Sequence, residues 1–324
     1  MTTVRQHAEE YLAMRRRLGF KLTSFGEKLM SFVGYLEHTG ATTVTTQTAL
    51  AWATDTPRST DQVHWSRRLM VVRIFARHLK TLEPATEIPP DDALPHHYRR
   101  ITPHLFTPAE LAALLETADL LHPAFRALTW HTLIGLLAVT GLRTSEACGL
   151  DRTDVDLTDG LLTVRDTKFG KSRQVPVHAS TAAALRKYAR QRDSQRPALS
   201  TAAFLVSTRG TRLDARNLPH TFARLLDSAG ITAGESHRRP RLHDMRHTFA
   251  TTTLLNWYRD DADVQARLPL LTTYLGHAEP KSTYWYLSGS PELMALAAAR
   301  LEHSFGGQPR ATSRPCCRAS SPTS

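Results

Sequence analysis

The chain has 324 residues, of which 41% are apolar and 22% charged, and a formal net charge of +11. The length suits two domains of ordinary size. With no run of about 18 or more uncharged apolar residues and no apolar leader at the N-terminus, a membrane span or secretory signal is not expected. Cys148, Cys316 and Cys317 form neither a disulfide framework nor a zinc spacing, so the expectation is a cytoplasmic protein with no metal and no cofactor. The positive balance is compatible with a polyanionic partner such as double-stranded DNA, because cations on phosphates gain from counterion release.

Residues 1–83 read as helices. Tyr11, Leu12, Met14 and Leu18, then Leu29, Phe32, Val33 and Leu36, recur near helical spacing. A short third segment lies around Ala49–Ala53. A fourth, Trp65–Leu82, carries Leu69, Val72, Ile74, Phe75 and Leu79 on one side and cations, Arg67 and Arg68 among them, elsewhere. A solvated helix face explains those cations as readily as a contact with DNA does. Residues 84–106 hold Pro84, Pro89, Pro90 and Pro95, which disfavour a continuous helix and suggest a linker. A second domain, 107–305, opens at Thr107-Pro108-Ala109-Glu110, an N-cap with proline at the first helical position and a capping box. A long apolar helix, Phe125–Thr140, stops at Gly141. Leu161–Val164 and Gln174–Val177 read as short strands around Lys168-Phe169-Gly170-Lys171, a hairpin or small sheet. Helices resume after Thr181 and again from about Leu218. The tail, 306–324, is rich in Gly, Pro, Ser, Thr and Arg, a composition of disorder.

Four local patterns carry chemistry. Thr140-Gly141-Leu142-Arg143-Thr144-Ser145-Glu146 ends one helix and begins another, placing Arg143 near a helix N-terminus where amide dipoles favour an anion. The alternative is an Arg143 simply paired with Glu146. The hairpin presents Lys168 and Lys171 on one loop, followed by Arg173. His-x-x-Arg pairs are weak signals by themselves and four occur here; the pair His243/Arg246 stands apart because it sits in His243-Asp244-Met245-Arg246-His247-Thr248-Phe249-Ala250-Thr251. On a helix these two share a face and can address one phosphate. Last come Leu275-Gly276-His277 and, nine residues on, Tyr286, with Tyr284 as rival.

Taken together and in this order, the four blocks resemble those of the tyrosine recombinase (phage integrase) family. The resemblance implies a mainly α protein: a small helical, SAM-like core-binding domain joined to a mixed helical α+β catalytic domain with a small β-sheet, clamping duplex DNA. It implies a site-specific recombinase or integrase that cleaves and rejoins DNA through a 3′-phosphotyrosine, in the integration, excision or transposition of a mobile element. Six residues fall at the catalytic positions. Arg143 and Arg246 would neutralise the phosphate, with His277 adding a hydrogen bond to a non-bridging oxygen. His243 would serve as base or proton relay, Lys168 as general acid for the leaving 5′-oxygen, and Tyr286 as nucleophile. Lys171 competes with Lys168 for its role. Lys171, Arg173, Arg67 and Arg68 would contact DNA. The expected assembly is a homo-tetramer on paired sites, with accessory DNA-bending or partner recombinase proteins. A type IB topoisomerase-like enzyme, a non-catalytic DNA-binding relic and a metal-dependent nuclease are the alternative readings.

Overall fold

The computed structural model describes residues 3–56, 61–94, 102–165, 172–196, 201–233, 238–277, 279, 281–287 and 291–306. The chain divides into two compact units, Met1–Arg100 and Ile101–Ser324. The described residues hold helices α1 to α13 and strands β1 to β3, in chain order.

The first unit holds α1 (Val4–Arg17), α2 (Thr23–Thr39), α3 (Thr46–Thr54) and α4 (Gln62–Leu79). Threonines cap two of them: the side chains of Thr3 and Thr45 each accept from a backbone amide three residues on, closing capping boxes. The apolar stripes meet in one core that contains Tyr11, Leu29, Phe32, Trp52, Leu69 and Phe75. The edge of the Phe32 ring meets Trp52 with centroids 5.3 Å apart. Residues 84–94, in the expected linker, are tied to this unit. Ile88, Ala93 and Leu94 pack against this core. The Glu87 amide donates to the Val44 carbonyl (2.9 Å) and Arg73 Nε to that of Pro89 (2.8 Å). Prolines forbid helix there, but they do not forbid packing.

The second unit begins with α5 (Pro108–Asp119), capped by Thr107 and Glu110 as the sequence implies. Next is α6 (Ala124–Thr140), buried on nearly every side through Trp130, Leu133, Ile134 and Leu137. A largely apolar helix belongs at the centre of a domain, and α5 and two later helices, Ala179–Gln195 and Asp244–Arg259, pack around this one. A short α7 (Thr144–Gly149) and a single 3-10 turn lead into the sheet. Strands β1 (Val155–Asp156), β2 (Leu161–Val164) and β3 (Arg173–Pro176) are antiparallel in that order. Leu162 stands opposite both Val155 and Val175. These three face the core, as the period of two along a strand requires. The two-residue β1 is too short to give a periodic signal, and sequence reasoning missed it.

Helices α8 (Ala179–Gln195) and α9 (Leu218–Ser228) complete the main core. A second cluster gathers α10 (Asp244–Arg259), α11 (Val264–Leu275), α12 (Lys281–Leu287) and α13 (Pro291–Gly306) around Ala250, Leu254, Leu271 and Tyr286. Residues 307–324, the bulk of the expected tail, lie outside the described residues.

Candidate active site

The site grows from the C-terminus of α6. Gly141 takes the left-handed conformation (φ 60°) that stops the helix. Its lack of a side chain is needed twice, because a Cβ there would lie 2.6 Å from the Phe249 ring. The turn delivers Arg143 to the N-cap of α7. Arg143 Nη1 donates to Glu146 Oε1 (2.7 Å), its amide to Oε2 (3.0 Å), and Nη2 to the Gly276 carbonyl (3.2 Å). The ion pair with Glu146, weighed from sequence as an alternative to catalysis, is present and is what aims the guanidinium.

Glu146 also receives Arg173 from β3, with Nη1 at 3.1 Å and Nη2 at 2.8 Å, while Arg173 Nε donates to the Tyr274 carbonyl (2.8 Å). All three nitrogens of Arg173 bond protein and its side chain is only 10% exposed. Arg173, expected at the DNA, is therefore turned inward: it braces Glu146 against α11. Burial opposes ionisation of Glu146, but the Arg173 hydrogen bonds and those from Arg143 outweigh it and hold its pKa at about 2.

Arg246 sits on the first turn of α10, with His243 at the N-cap. It is 2% exposed, and both terminal nitrogens bond backbone: Nη1 donates to the Gly141 carbonyl (2.9 Å) and Nη2 to that of Leu275 (2.6 Å). Burial, then the neighbouring Arg143, lowers its pKa to about 10, so it remains a cation at neutral pH. The His243 ring meets His247 edge-on with centroids 5.0 Å apart. Partial burial, then Arg246 and Arg241, lower the His243 pKa, although the residue is exposed by area.

Gly276 ends α11 in the left-handed conformation (φ 67°), and a Cβ there would lie 2.6 Å from Arg173 Nη1. Glycine is thus the residue that lets the Arg173 brace pass beneath the turn. His277 follows, half-buried. Burial first, then the cations Arg246, Arg143 and Arg173, push its pKa down to about 4, so the ring is neutral at pH 7. Its Nδ1 lies 2.7 Å from Thr283 Oγ1.

On α12, Tyr286 is 4% exposed and Tyr284 is 56% exposed. Residues two apart on a helix point about 200° from each other, and here the buried direction belongs to Tyr286. Its ring lies nearly parallel to His277 (centroids 6.0 Å, 21°) and 5.4 Å from His247. Burial, then His243 and nearby arginines, lower the His247 pKa to about 3.

Five of the six sequence-derived catalytic candidates thus converge: Arg143, His243, Arg246, His277 and Tyr286. Lys168, together with its competitor Lys171, lies outside the described residues. Of the first-unit cations, Arg67 is exposed on α4. Arg68 instead lies over the Trp52 indole at 3.9 Å and donates to the Trp52 carbonyl (2.6 Å). Sequence reasoning missed the bracing role of Arg173, the place of His247 beside the tyrosine, and Thr283. Two of these left a signal: Thr283 is three residues before Tyr286, and His247 four after His243, so each shares the face of a candidate.

Two guanidiniums on one carboxylate and a third, Arg246, on backbone carbonyls, beside neutral histidines, leave an excess of positive charge that suits an anion with several oxygens. Planar forks of this kind match phosphate. Set in a helical domain with a small antiparallel sheet and lying close to a buried tyrosine, this arrangement fits the tyrosine recombinases, enzymes that break and rejoin DNA strands. Residues 104–292 match the phage integrase family, and the chain belongs to it. It is 44% identical over 308 residues to the integrase/recombinase-type protein y4rB of Sinorhizobium fredii, covering 93% of this chain and 98% of that one. It is 34% identical over 255 residues to the tyrosine recombinase XerD of Mycobacterium tuberculosis, covering 76% and 74%. Among solved structures, the fold is similar to the Tn1549 transposon integrase in complex with transposon right end DNA: TM-score 0.62, 18% identity, 92% and 98% coverage. It is likewise similar to a lambda integrase tetramer bound to a Holliday junction: TM-score 0.61, 17% identity, 88% and 77% coverage.

Proposed function

We propose that this chain is a site-specific recombinase of a mobile element, which cuts DNA by attack of Tyr286 on the scissile phosphate and rejoins it by the reverse step. The observation that carries the reading is the convergence of Arg143 and Arg246, from separate blocks of sequence, on the turn that bears His277, with Tyr286 buried beside it. In-line displacement at a phosphodiester spreads charge over the equatorial oxygens. Arg143 and Arg246 neutralise that charge, and His277 donates to a non-bridging oxygen. Preorganised donors of this kind are each worth roughly 10²–10³ in rate.

The Tyr286 hydroxyl proton passes to His243 as base or relay, the phenolate oxygen bonds phosphorus, and the P–O5′ bond breaks. Lys168 protonates the departing 5′-oxygen. The 3′-phosphotyrosine conserves the energy of the broken bond, so a second 5′-hydroxyl can displace Tyr286 without ATP. Exchange between two duplexes needs four such cuts, hence a homo-tetramer on paired sites, with accessory DNA-bending or partner recombinase proteins. The helical unit 1–83 serves as core-binding domain, with Arg67 at the phosphates, ahead of a linker and the catalytic domain. The relationship to y4rB and the fold shared with a transposon integrase support the mobile-element context.

A nicked suicide substrate tests this. Wild type and Tyr284→Phe should give a slowly migrating covalent band on a denaturing gel, and Tyr286→Phe should bind DNA without one. A band that persists in Tyr286→Phe overturns the mechanism. Plasmid relaxation without exchange between two sites would instead indicate a topoisomerase.

A further inference from the structure

A neutral imidazole carries one proton, and which nitrogen holds it is set by the bond the other nitrogen makes. For His277 that bond is to Thr283 Oγ1, at 2.7 Å. Thr283 is completely buried, so its single hydroxyl proton must find an acceptor inside the protein. Its other neighbour is the Thr272 hydroxyl, 3.0 Å away, and in that pair Thr272 is the donor. Thr272, itself buried, has a second acceptor in the Leu268 carbonyl (2.9 Å). With Thr272 donating to Thr283, the Thr283 proton is left with Nδ1 of His277 among the described hydrogen bonds. Nδ1 then accepts, and the ring proton sits on Nε2.

We propose that Thr283 is a positioning residue that holds His277 as the Nε2–H tautomer and thereby makes it a hydrogen-bond donor toward the phosphate. The inference rests on the recombinase reading of the site. Thr283 belongs to α12, three residues before Tyr286 and on the same face. The donor state of His277 is therefore conditional on the seating of the helix that carries the nucleophile. If α12 withdraws, His277 loses its hydroxyl partner and both tautomers become available. The phosphate is then held less well in a protomer whose tyrosine is out of place. One buried hydroxyl links phosphate recognition to readiness of the nucleophile.

The test uses the full chain labelled with ¹⁵N-histidine, in which a His277→Asn variant identifies the His277 resonances. In wild type and Thr283→Ser, Nε2 should be protonated and Nδ1 an acceptor. Thr283→Val keeps the shape and removes only the hydroxyl; the Thr272 proton still has the Leu268 carbonyl, so no buried donor is orphaned. It should show a tautomer mixture. Thr272→Val should retain the wild-type tautomer, which separates Thr283 from general disturbance of the cluster. Thr283→Val should also slow covalent-adduct formation by about 10- to 100-fold, as when a ligand-orienting partner is lost. DNA binding should be unchanged, and Thr283→Ser should restore the rate.

A protonated Nδ1 in wild type, or an unchanged tautomer in Thr283→Val, overturns the proposal whatever the cleavage assay reports. The ring measurement needs no DNA. The expected tautomers without any wild-type adduct would therefore discredit the recombinase reading and leave the Thr283 assignment standing as structure.

Discussion

Replacing Glu146 with glutamine should destabilise the catalytic unit by about 3 kcal/mol and flatten its acid sensitivity. The carboxylate receives the Arg143 amide and the guanidiniums of Arg143 and Arg173, and its side chain is 8% exposed. Glutamine keeps one acceptor oxygen and turns an NH2 toward these donors, leaving the enclosed Arg173 cation without a counter-charge. Breaking a buried pair from one side costs about 3–5 kcal/mol. The pKa gives an independent figure: displacement from 4.5 to about 2 corresponds to about 3 kcal/mol of stability at neutral pH. Because the folded-state pKa is depressed, that stability is fully present above the unfolded-state value of 4.5 and is lost as the pH falls through about 2. Urea unfolding of wild type and Glu146→Gln at a series of pH values spanning this window checks it. The two curves should differ most at neutral pH and converge toward pH 2. Parallel curves would refute the reasoning, since they would mean that the carboxylate titrates alike in folded and unfolded chains.

Arg143→Ala should lower cleavage by about 10² or more while DNA binding is largely kept. Arg246→Ala should do the same and also lower the melting temperature, because the Gly141 and Leu275 carbonyls lose their buried donor. Gly276→Ala places a methyl in the left-handed region, at roughly 1–2 kcal/mol, and displaces Arg173. Both stability and adduct yield should fall, whereas a thermal melt equal to wild type would show that the brace yields freely. Lys168→Ala should be impaired at departure of the 5′-oxygen, and a substrate with a 5′-bridging sulfur should rescue it. If Lys171→Ala is the rescued variant, the two lysines exchange roles.

Much of the fold is written in local chemistry. Thr107, Pro108 and Glu110 specify a helix start, and Gly141 specifies an end, because caps satisfy orphan backbone groups within a few residues. The sequence misleads where long-range packing decides. The prolines of 84–94 exclude helix, yet Ile88, Ala93 and Leu94 have a core to cover. For the site, the patterns located Arg143, Arg246, His277 and Tyr286, which meet in space. They did not separate cations aimed at a ligand from cations aimed at protein. Arg173 and Arg68 read as DNA contacts because an arginine looks the same either way. What distinguishes them is the partner each finds: the Glu146 carboxylate for one, and the indole and carbonyl of Trp52 for the other.

The inward arginine also fixes the geometry of the proposed site. A guanidinium has five N–H donors. In the described hydrogen bonds, Arg143 commits Nη1 to Glu146 and Nη2 to the Gly276 carbonyl, and Arg246 commits its two terminal nitrogens to the Gly141 and Leu275 carbonyls. Each fork is fixed by two bonds and keeps further N–H groups, Nε among them, for an anion. The carbonyls that fix them belong to the two glycine-terminated helix ends, α6 and α11, so the same turns that stop the helices hold the arginines. Arg173 ties the second end to Glu146, and Glu146 ties it to the first. On the proposed function, an incoming phosphate would meet donors already oriented, and little reorganisation would oppose the charge that develops in the transition state. Had Arg173 faced solvent as a DNA contact, Glu146 would hold Arg143 alone and the two helix ends would lack their bridge.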